Sequence, residues 1–356
     1  MRNRFKDLDW VGIALWAFRA GIIALVIYGI IAKILLKQGT QYSATDWVTF
    51  TVSGLSQGSL YALIALGYTM VYGILFMINF AHGEFFMSGA MTSAVFVAAP
   101  LAANGFLDKQ PVLGLLLIIV AAMTTAVGVA LLTERVAYRP LRKAPRLVPL
   151  ITAIGASFFW QQLFRGLYGG AIIPFPTPEI FQGRMTLFGV EFGRAKIGVM
   201  IVSLLVLLGL WILVQRTRTG KAIRAVAEDK DVAALMGIDV DRTISITFAI
   251  GAAMAAIAAV FWGLVFHQAH FFMGFVPGIK AFTAAGLGGI GSIPGAAIGG
   301  LFLGVIESLG PPLVLEGLGI PGAHQLKDVT AFLLLVLVLI FRPQGILGEK
   351  LAEEKA

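Results

Sequence analysis

Asn79, His82 and Glu84 fall within six residues of one another, in the stretch MINFAHGEFF at 77–86. An amide, an imidazole and a carboxylate so close together can hydrogen-bond a polar solute or hand on a proton. Their setting is the anomaly. From Trp47 to Leu107 the chain has no other Asp, Glu, Lys, Arg or His. An unpaired ionisable group at the centre of a bilayer costs at least ~2.5 kcal/mol. His82 and Glu84 must therefore lie at an interface or face a polar interior. With Gly83 between them they are expected to interrupt a helix, placing Glu84 in the first turn of the next, where its charge suits the helix dipole. Two roles are compatible: a pathway or gate lined by Asn79, His82 and Glu84, or a structural carboxylate that caps backbone amides in a buried turn.

Other polar residues are more scattered. Ser53 and Gln57 lie four apart in TVSGLSQGSLYAL, on one helical face beside Gly54 and Gly58, and can bond a solute or a neighbouring helix. His267 and His270 have the spacing of one face of a helix end. A metal site needs further ligands, and no Cys or clustered carboxylate is near, so they read as interfacial histidines among aromatics. No metal and no cofactor is expected. In RTRTGKAIRAVAEDKDVAALMGIDVDR (216–242) the apolar residues Ile223, Val226, Ala227, Ala233 and Ala234 alternate with charges. That pattern predicts a short amphipathic helix over 220–237, ended by Gly237, with Asp239 or Asp241 capping the element after it. Because a purely solvated loop needs no such apolar face, a docking helix for a soluble partner is preferred.

The elements that must position these residues are set by composition. Of 356 residues, 58% are hydrophobic and 13% charged, with a mean hydropathy of +0.88. Soluble domains carry about 25% charge. A helix needs about 20 apolar residues to cross a bilayer, and Pro111–Thr133, Ile197–Gln215 and Thr243–Trp262 each supply that length uncharged. The chain is read as an all-α, polytopic membrane protein. Spans are predicted near 11–36, 47–66, 83–100, 111–133, 148–166, 197–215, 243–266 and 326–341. Two further glycine-rich pieces, 67–80 and 279–312, are expected to be broken or re-entrant. The first span reads as retained, because Arg19 and Lys33 interrupt it and no small-residue cleavage site follows. Basic residues concentrate in 1–6, 134–146 and 216–242. This assigns those segments and both termini to the cytoplasm, provided the glycine-rich pieces make no net crossing or cross in pairs. The net charge of +8 is then a property of cytoplasmic loops and calls for no nucleic acid.

The second glycine-rich piece, GIKAFTAAGLGGIGSIPGAAIGGLFLGVIES, carries Gly286, Gly288, Gly289 and Gly291 before Pro294, and Gly291, Gly295 and Gly299 at every fourth residue. The first set loosens the backbone; the second offers a flat face for close helix packing. Irregular backbone at membrane depth is tolerated where protein or a water-filled cavity covers it, so broken helices around a path are expected. No phosphate-binding G-x-x-x-x-G-K-[ST] loop exists; TGKA at 219–222 lacks the upstream glycine. No H-E-x-x-H and no G-x-S-x-G occurs. Active transport by this chain would have to draw on an ion gradient or on another subunit.

Three blocks carry a resemblance. GLSQGSLYALIALGYTMVYGILFMINFAHGEFFMSGA, AEDKDVAALMGIDVDRTISITFAIGAAMAAIAAVFWG and KAFTAAGLGGIGSIPGAAIGGLFLGVIE resemble, in order, the permease of branched-chain amino-acid ABC importers, in the form carrying N-F-A-H-G-E. The resemblance implies an inner-membrane import subunit for branched-chain and neutral amino acids. Its implied partners are a second related permease, two cytoplasmic ATP-binding subunits and a periplasmic solute-binding protein. It implies that Ala227, Glu228, Asp229, Ala233, Ala234 and Gly237 dock an ATPase, and that the glycine faces meet the sister permease. Residues 46–345 would form the permease domain and 346–356 a cytoplasmic tail. Residues 1–45, with their additional span, are longer than the family leads one to expect. Urea, short amides or another small polar solute is an alternative cargo. A self-contained channel or ion-coupled carrier is the alternative class, disfavoured because ionisable residues in the spans are nearly confined to Arg19, Glu84 and Glu307.

Overall fold

The structure, a computed structural model, describes residues 10–37, 39–142, 144–145, 147–187, 189–341 and 345–347. The basic N-terminal residues 1–9 and the tail beyond 347, both expected in the cytoplasm, lie outside the described residues. The chain is helical almost throughout. In order come α1 (Trp10–Ile34), α2 (Ala44–Leu75), α3 (His82–Ala103), α4 (Pro111–Leu141) and α5 (Leu147–Tyr168). A connection carrying strands β1 (Ile173–Pro174), β2 (Arg184–Leu187) and β3 (Val190–Gly193) leads to α6 (Arg194–Arg216). The short helices α7 (Arg218–Glu228) and α8 (Lys230–Leu235) precede α9 (Val240–Phe266). Strand β4 (Gln268–Ala269), α10 (Phe275–Gly288), α11 (Ile293–Leu315) and α12 (Lys327–Phe341) complete the chain. Among the described residues, eight helices have the length and hydropathy to cross a membrane: α1 to α6, α9 and α11. This is a multi-pass membrane protein.

Three of the predicted boundaries are corrected. The piece at 67–80 is not separate from the span before it, because α2 runs unbroken to Leu75. A box in which Ser43 and Asp46 cap each other's backbone starts it, and Phe76, in the left-handed region at φ +54°, ends it. At 1.5 Å per residue α2 is about 48 Å long. The piece at 279–312 resolves into two helices, α10 and α11, joined by a turn in which Gly289 and Gly291 take φ values of +104° and +99°. The predicted span 326–341 is present as α12, with only 15 residues.

Helix α2 is the axis of the core, buried along most of its length and packed on α9, α10 and α11. Glycine makes the closest crossing possible: a Cβ added to Gly58 would lie 2.8 Å from the Gly300 carbonyl oxygen, and one on Gly304 would lie 2.3 Å from the Gly58 nitrogen. The expected packing glycines are therefore used inside the chain. Gly295 and Gly299 press on Gly288 and Ala284 of α10, while Gly291 belongs to the turn, and a Cβ added there would meet nothing within 4 Å.

Long-range contacts define the two ends of the bundle. At one end Lys33 meets Glu316, Tyr42 meets His324, Asp108 accepts from the Glu179 backbone, and β1 pairs antiparallel with β4. At the other, Arg139 and Arg142 meet Asp241, Lys230 covers Phe76, and Ile346 and Leu347 donate backbone hydrogen bonds to Leu287 and Gly288. Because Ala44 of α2 belongs to the first end and Leu75 to the second, each long helix connects them.

Candidate functional site

Leu75 closes α2 at the second end, yet α3 does not begin there. Residues 76–81 turn back into the bundle, and His82, at the start of α3, lies against Gly67 of α2. Where a Cβ on Gly67 would sit, the His82 Cε1 is only 2.4 Å away, so glycine at 67 makes room for the imidazole. The ring also faces Tyr68 at 4.6 Å between centroids and Phe85 at 5.6 Å.

Asn79 organises the break. Its Oδ1 accepts from the Ala81 backbone N–H at 3.1 Å and from the Tyr138 hydroxyl at 2.6 Å. A π-turn at Glu134–Tyr138 in α4 brings that tyrosine inward. Glu84 falls in the first turn of α3 as expected. Its Oε1 accepts from Ser157 Oγ at 2.9 Å and Gln161 Nε2 at 2.7 Å, both on α5. The carboxylate thus bonds side chains of another helix rather than capping backbone amides. Gly83 has a different role: its carbonyl oxygen would lie 2.1 Å from a Cβ on Gly274, just before α10. The first turns of α3 and α10 therefore meet inside the bundle.

Asn79, His82 and Glu84 are each about 1% exposed. Among the described residues, Asn79 Nδ2 and Glu84 Oε2 have no protein partner. Buried polar groups are normally bonded, so this is a cluster with spare hydrogen-bonding capacity at a broken helix. It can bind a polar solute or rearrange when the helices move. Its members lie in the interior of the chain.

The remaining sequence candidates lie elsewhere. Ser53 and Gln57 are half-buried on α2, and Ser53 Oγ accepts from Lys196 Nζ at 2.8 Å. His267 and His270 do not share a helical face. His267 ends α9 in the left-handed region and hydrogen-bonds Thr177, whereas His270 lies in the following turn, its Nδ1 accepting from the Phe272 backbone.

The expected helix over 220–237 is two helices with a corner at Asp229, whose carboxylate caps α8 through the N–H groups of Asp231 and Val232. Gly237 terminates the pair at φ +84°, and Asp239, one of the two expected caps, starts α9. In α7 Ile223 and Val226 are buried against the bundle, as is Ala233 of α8. Ala227 is half-buried, while Glu228, Asp229 and Ala234 are exposed beside Val232, Leu235 and Met236. Lys230 Nζ lies 5.9 Å from the Phe76 ring centroid, which ties α8 to the residue that ends α2.

One buried cluster escaped the sequence reading. Lys280 of α10 donates to Glu307 at 2.7 Å, Asp328 at 2.6 Å and the Tyr61 hydroxyl at 3.3 Å, binding α2, α10, α11 and α12 together. Ser157, Gln161 and Tyr138 were missed as well. The available signal was polar residues four apart in an apolar span, which marks an inward-facing stripe.

In a multi-pass membrane protein, helices broken around a buried polar cluster are the architecture of a solute or ion pathway. Residues 50–339 match the family described as branched-chain amino acid transport system, permease component. The chain is 47% identical over 307 residues to the high-affinity branched-chain amino acid transport system permease protein BraD of Pseudomonas aeruginosa, covering 85% of this chain and 96% of that one. It is 44% identical over 310 residues to the corresponding protein LivH of Escherichia coli, with the same coverages. A probable branched-chain amino acid transport permease of Methanocaldococcus jannaschii is 27% identical over 304 residues, covering 82% and 89%. This chain belongs to the branched-chain amino acid transport permease family. Helix α1 lies wholly before the matched segment.

Proposed function

We propose that this chain is the transmembrane permease subunit of an ATP-driven importer that carries branched-chain and other neutral amino acids across the bacterial inner membrane. A second, related permease would pair with it, two cytoplasmic ATP-binding subunits would drive it, and a periplasmic binding protein would deliver the solute. Residues 46–345 form the permease domain on this reading, with 1–45 an added extension and 346–356 a tail. The basic residues Arg135, Arg139, Arg142, Arg216, Arg218, Lys221 and Arg224 gather at the end of the bundle that carries α7 and α8, which supports a cytoplasmic location for that end and for both termini.

The observation that carries the mechanism is the form of α7 and α8. Their inner faces are anchored by Ile223, Val226 and Ala233, while Leu235, 86% exposed, and Met236, 77% exposed, project beyond the bundle. Such an apolar surface suits a protein partner. Through Lys230 and Phe76, displacement of α8 reaches the break at 76–81, and from there Asn79, His82 and Glu84. An ATPase that moves α8 thereby rearranges the buried cluster, alternately admitting and releasing solute.

The test is uptake of labelled leucine by vesicles containing the assembled importer. Uptake requires ATP and every partner, urea does not compete, and Glu228→Ala or Gly237→Val lowers uptake while ATP hydrolysis continues. Uphill leucine movement by the chain alone would overturn the reading.

A further inference from the structure

At the end of the bundle opposite α7 and α8, a cavity of about 470 Å³ opens between the first turn of α6, the end of α9 and the connection before β2. Small-molecule sites fall in the range of about 300–1,000 Å³ and combine apolar walls with a few placed polar groups. Here Phe181 and Leu264 supply apolar wall, and Lys196 and His267, with Thr177 and Gln182 beside them, supply the polar groups. Neither Asp nor Glu lines the space among the described residues.

The polar groups are held in place. Lys196 donates one hydrogen bond, to Ser53 on the central helix α2 at 2.8 Å, and an ammonium has three donors. His267 is fixed through Nδ1 by Thr177 at 2.8 Å, which leaves its Nε2 for another partner. One wall is the amino-terminal turn of the 23-residue helix α6, whose cap residue Gly193 makes no side-chain cap. The positive end of that helix dipole adds to the lysine. A cation, an imidazole and a helix start beside an apolar wall match a carboxylate joined to a small hydrocarbon group.

We propose that this cavity receives the carboxylate of a free aliphatic amino acid, with Lys196 as its counter-ion and Phe181 and Leu264 against its side chain. The inference rests on the importer reading, under which this end faces the compartment from which solute arrives. Ser53, a sequence candidate for the pathway, then acts by holding Lys196.

The chain has no cysteine, so Ala195→Cys, in the first turn of α6, places a single thiol on the cavity wall. Labelling of that thiol by a neutral maleimide is followed in the assembled permease–ATPase complex, without ATP or binding protein. Leucine at ten times its Kd should slow labelling about tenfold, from occupancy alone. Leucinol, which lacks the carboxylate, should not protect. Adding Lys196→Met should abolish protection by leucine, and Lys196→Arg should retain it. Labelling unaffected by leucine in complexes that do take leucine up overturns the site and leaves the importer reading standing. Protection by leucinol, or by leucine in the Lys196→Met variant, overturns the site as well. Failure of the same vesicles to take up leucine at all overturns the importer reading, and this inference with it.

Discussion

Lys280 and Glu307 form an ion pair at 2.7 Å with both side chains almost wholly buried. The pair lies between α10, which starts inside the bundle, and α11, which packs on α2 through glycine. Removing one member of a buried pair strands the other charge and costs about 3–5 kcal/mol, whereas replacing both with apolar residues of similar volume is often neutral. Lys280→Met alone should therefore sharply lower the thermal unfolding temperature of the detergent-solubilised protein. Lys280→Met with Glu307→Leu should recover most of the loss. Additive losses in the double variant would mean that the two charges do not compensate each other.

Glu84 gives a second prediction, because its Oε1 draws both its hydrogen bonds from α5. Gln161→Leu removes the shorter one and leaves a buried carboxylate under-satisfied, a change worth about 1–3 kcal/mol. Glu84→Gln keeps the size and removes the charge. Gln161→Leu should lower stability and leucine uptake together, whereas Glu84→Gln should fold and assemble yet lose uptake. Wild-type uptake by Glu84→Gln would leave the carboxylate a purely structural bond to α5.

How much of this was legible in the sequence depended on whether the signal was local. The break at Asn79–Glu84 was readable because polar residues inside an apolar run must be accommodated, and Glu84 does open α3. The amphipathic element at 220–237 was readable from its period, though not its corner, since Asp229 serves both as charge and as cap. In the sequence, Gly67 and Gly73 suggest a separate glycine-rich piece. In the fold Gly67 admits the His82 ring while α2 continues, a choice made by tertiary packing. Lys280 gave no sign of its importance. Its carboxylate partners lie 27 and 48 residues further on, and no periodicity within one element encodes such a meeting. The same holds for the β1–β4 pair, whose strands are separated by α6 to α9.

The crossing of α2 and α11 yields a third prediction. Ala62 N lies 2.5 Å from where a Gly300 Cβ would stand, and Gly304 is equally confined by Gly54 and Gly58. The obstructing atoms are backbone, which cannot rotate aside. Gly300→Val or Gly58→Leu should force the helices apart, exposing α2 and destabilising the chain by at least the ~1–3 kcal/mol of an overpacked core. Recovery from the membrane in folded form should fall steeply for both variants. At Gly128, where an added Cβ meets nothing within 4 Å, the substitution to Ala should be tolerated. Equal yields from Gly300→Val and Gly128→Ala would contradict the close crossing.

The last prediction concerns α1, which precedes the matched family segment. It is fastened at one end, where Lys33 pairs with Glu316 at 2.6 Å and Tyr42 donates to the same carboxylate at 2.7 Å, with His324 3.2 Å away. Burial alone would raise the Glu316 pKa, but the hydrogen bonds from Lys33 and Tyr42 outweigh it and hold the group below its usual range. Burial and the Glu316 bond push Tyr42 the other way, up to about 12, so it stays a donor at neutral pH. A carboxylate with a depressed folded-state pKa contributes stability that is fully present above its unfolded value, about 4.3, and is lost as the pH falls through the folded value. The difference in unfolding temperature between wild type and Glu316→Gln should therefore be constant from neutral pH down to about 5 and shrink below about 4. A cleavable site introduced in the 35–43 connection should become more accessible over the same acid range in wild type, and be accessible at every pH in the variant. A stability difference that grows on acidification would reverse the sign and dismiss Glu316 as the fastening of α1.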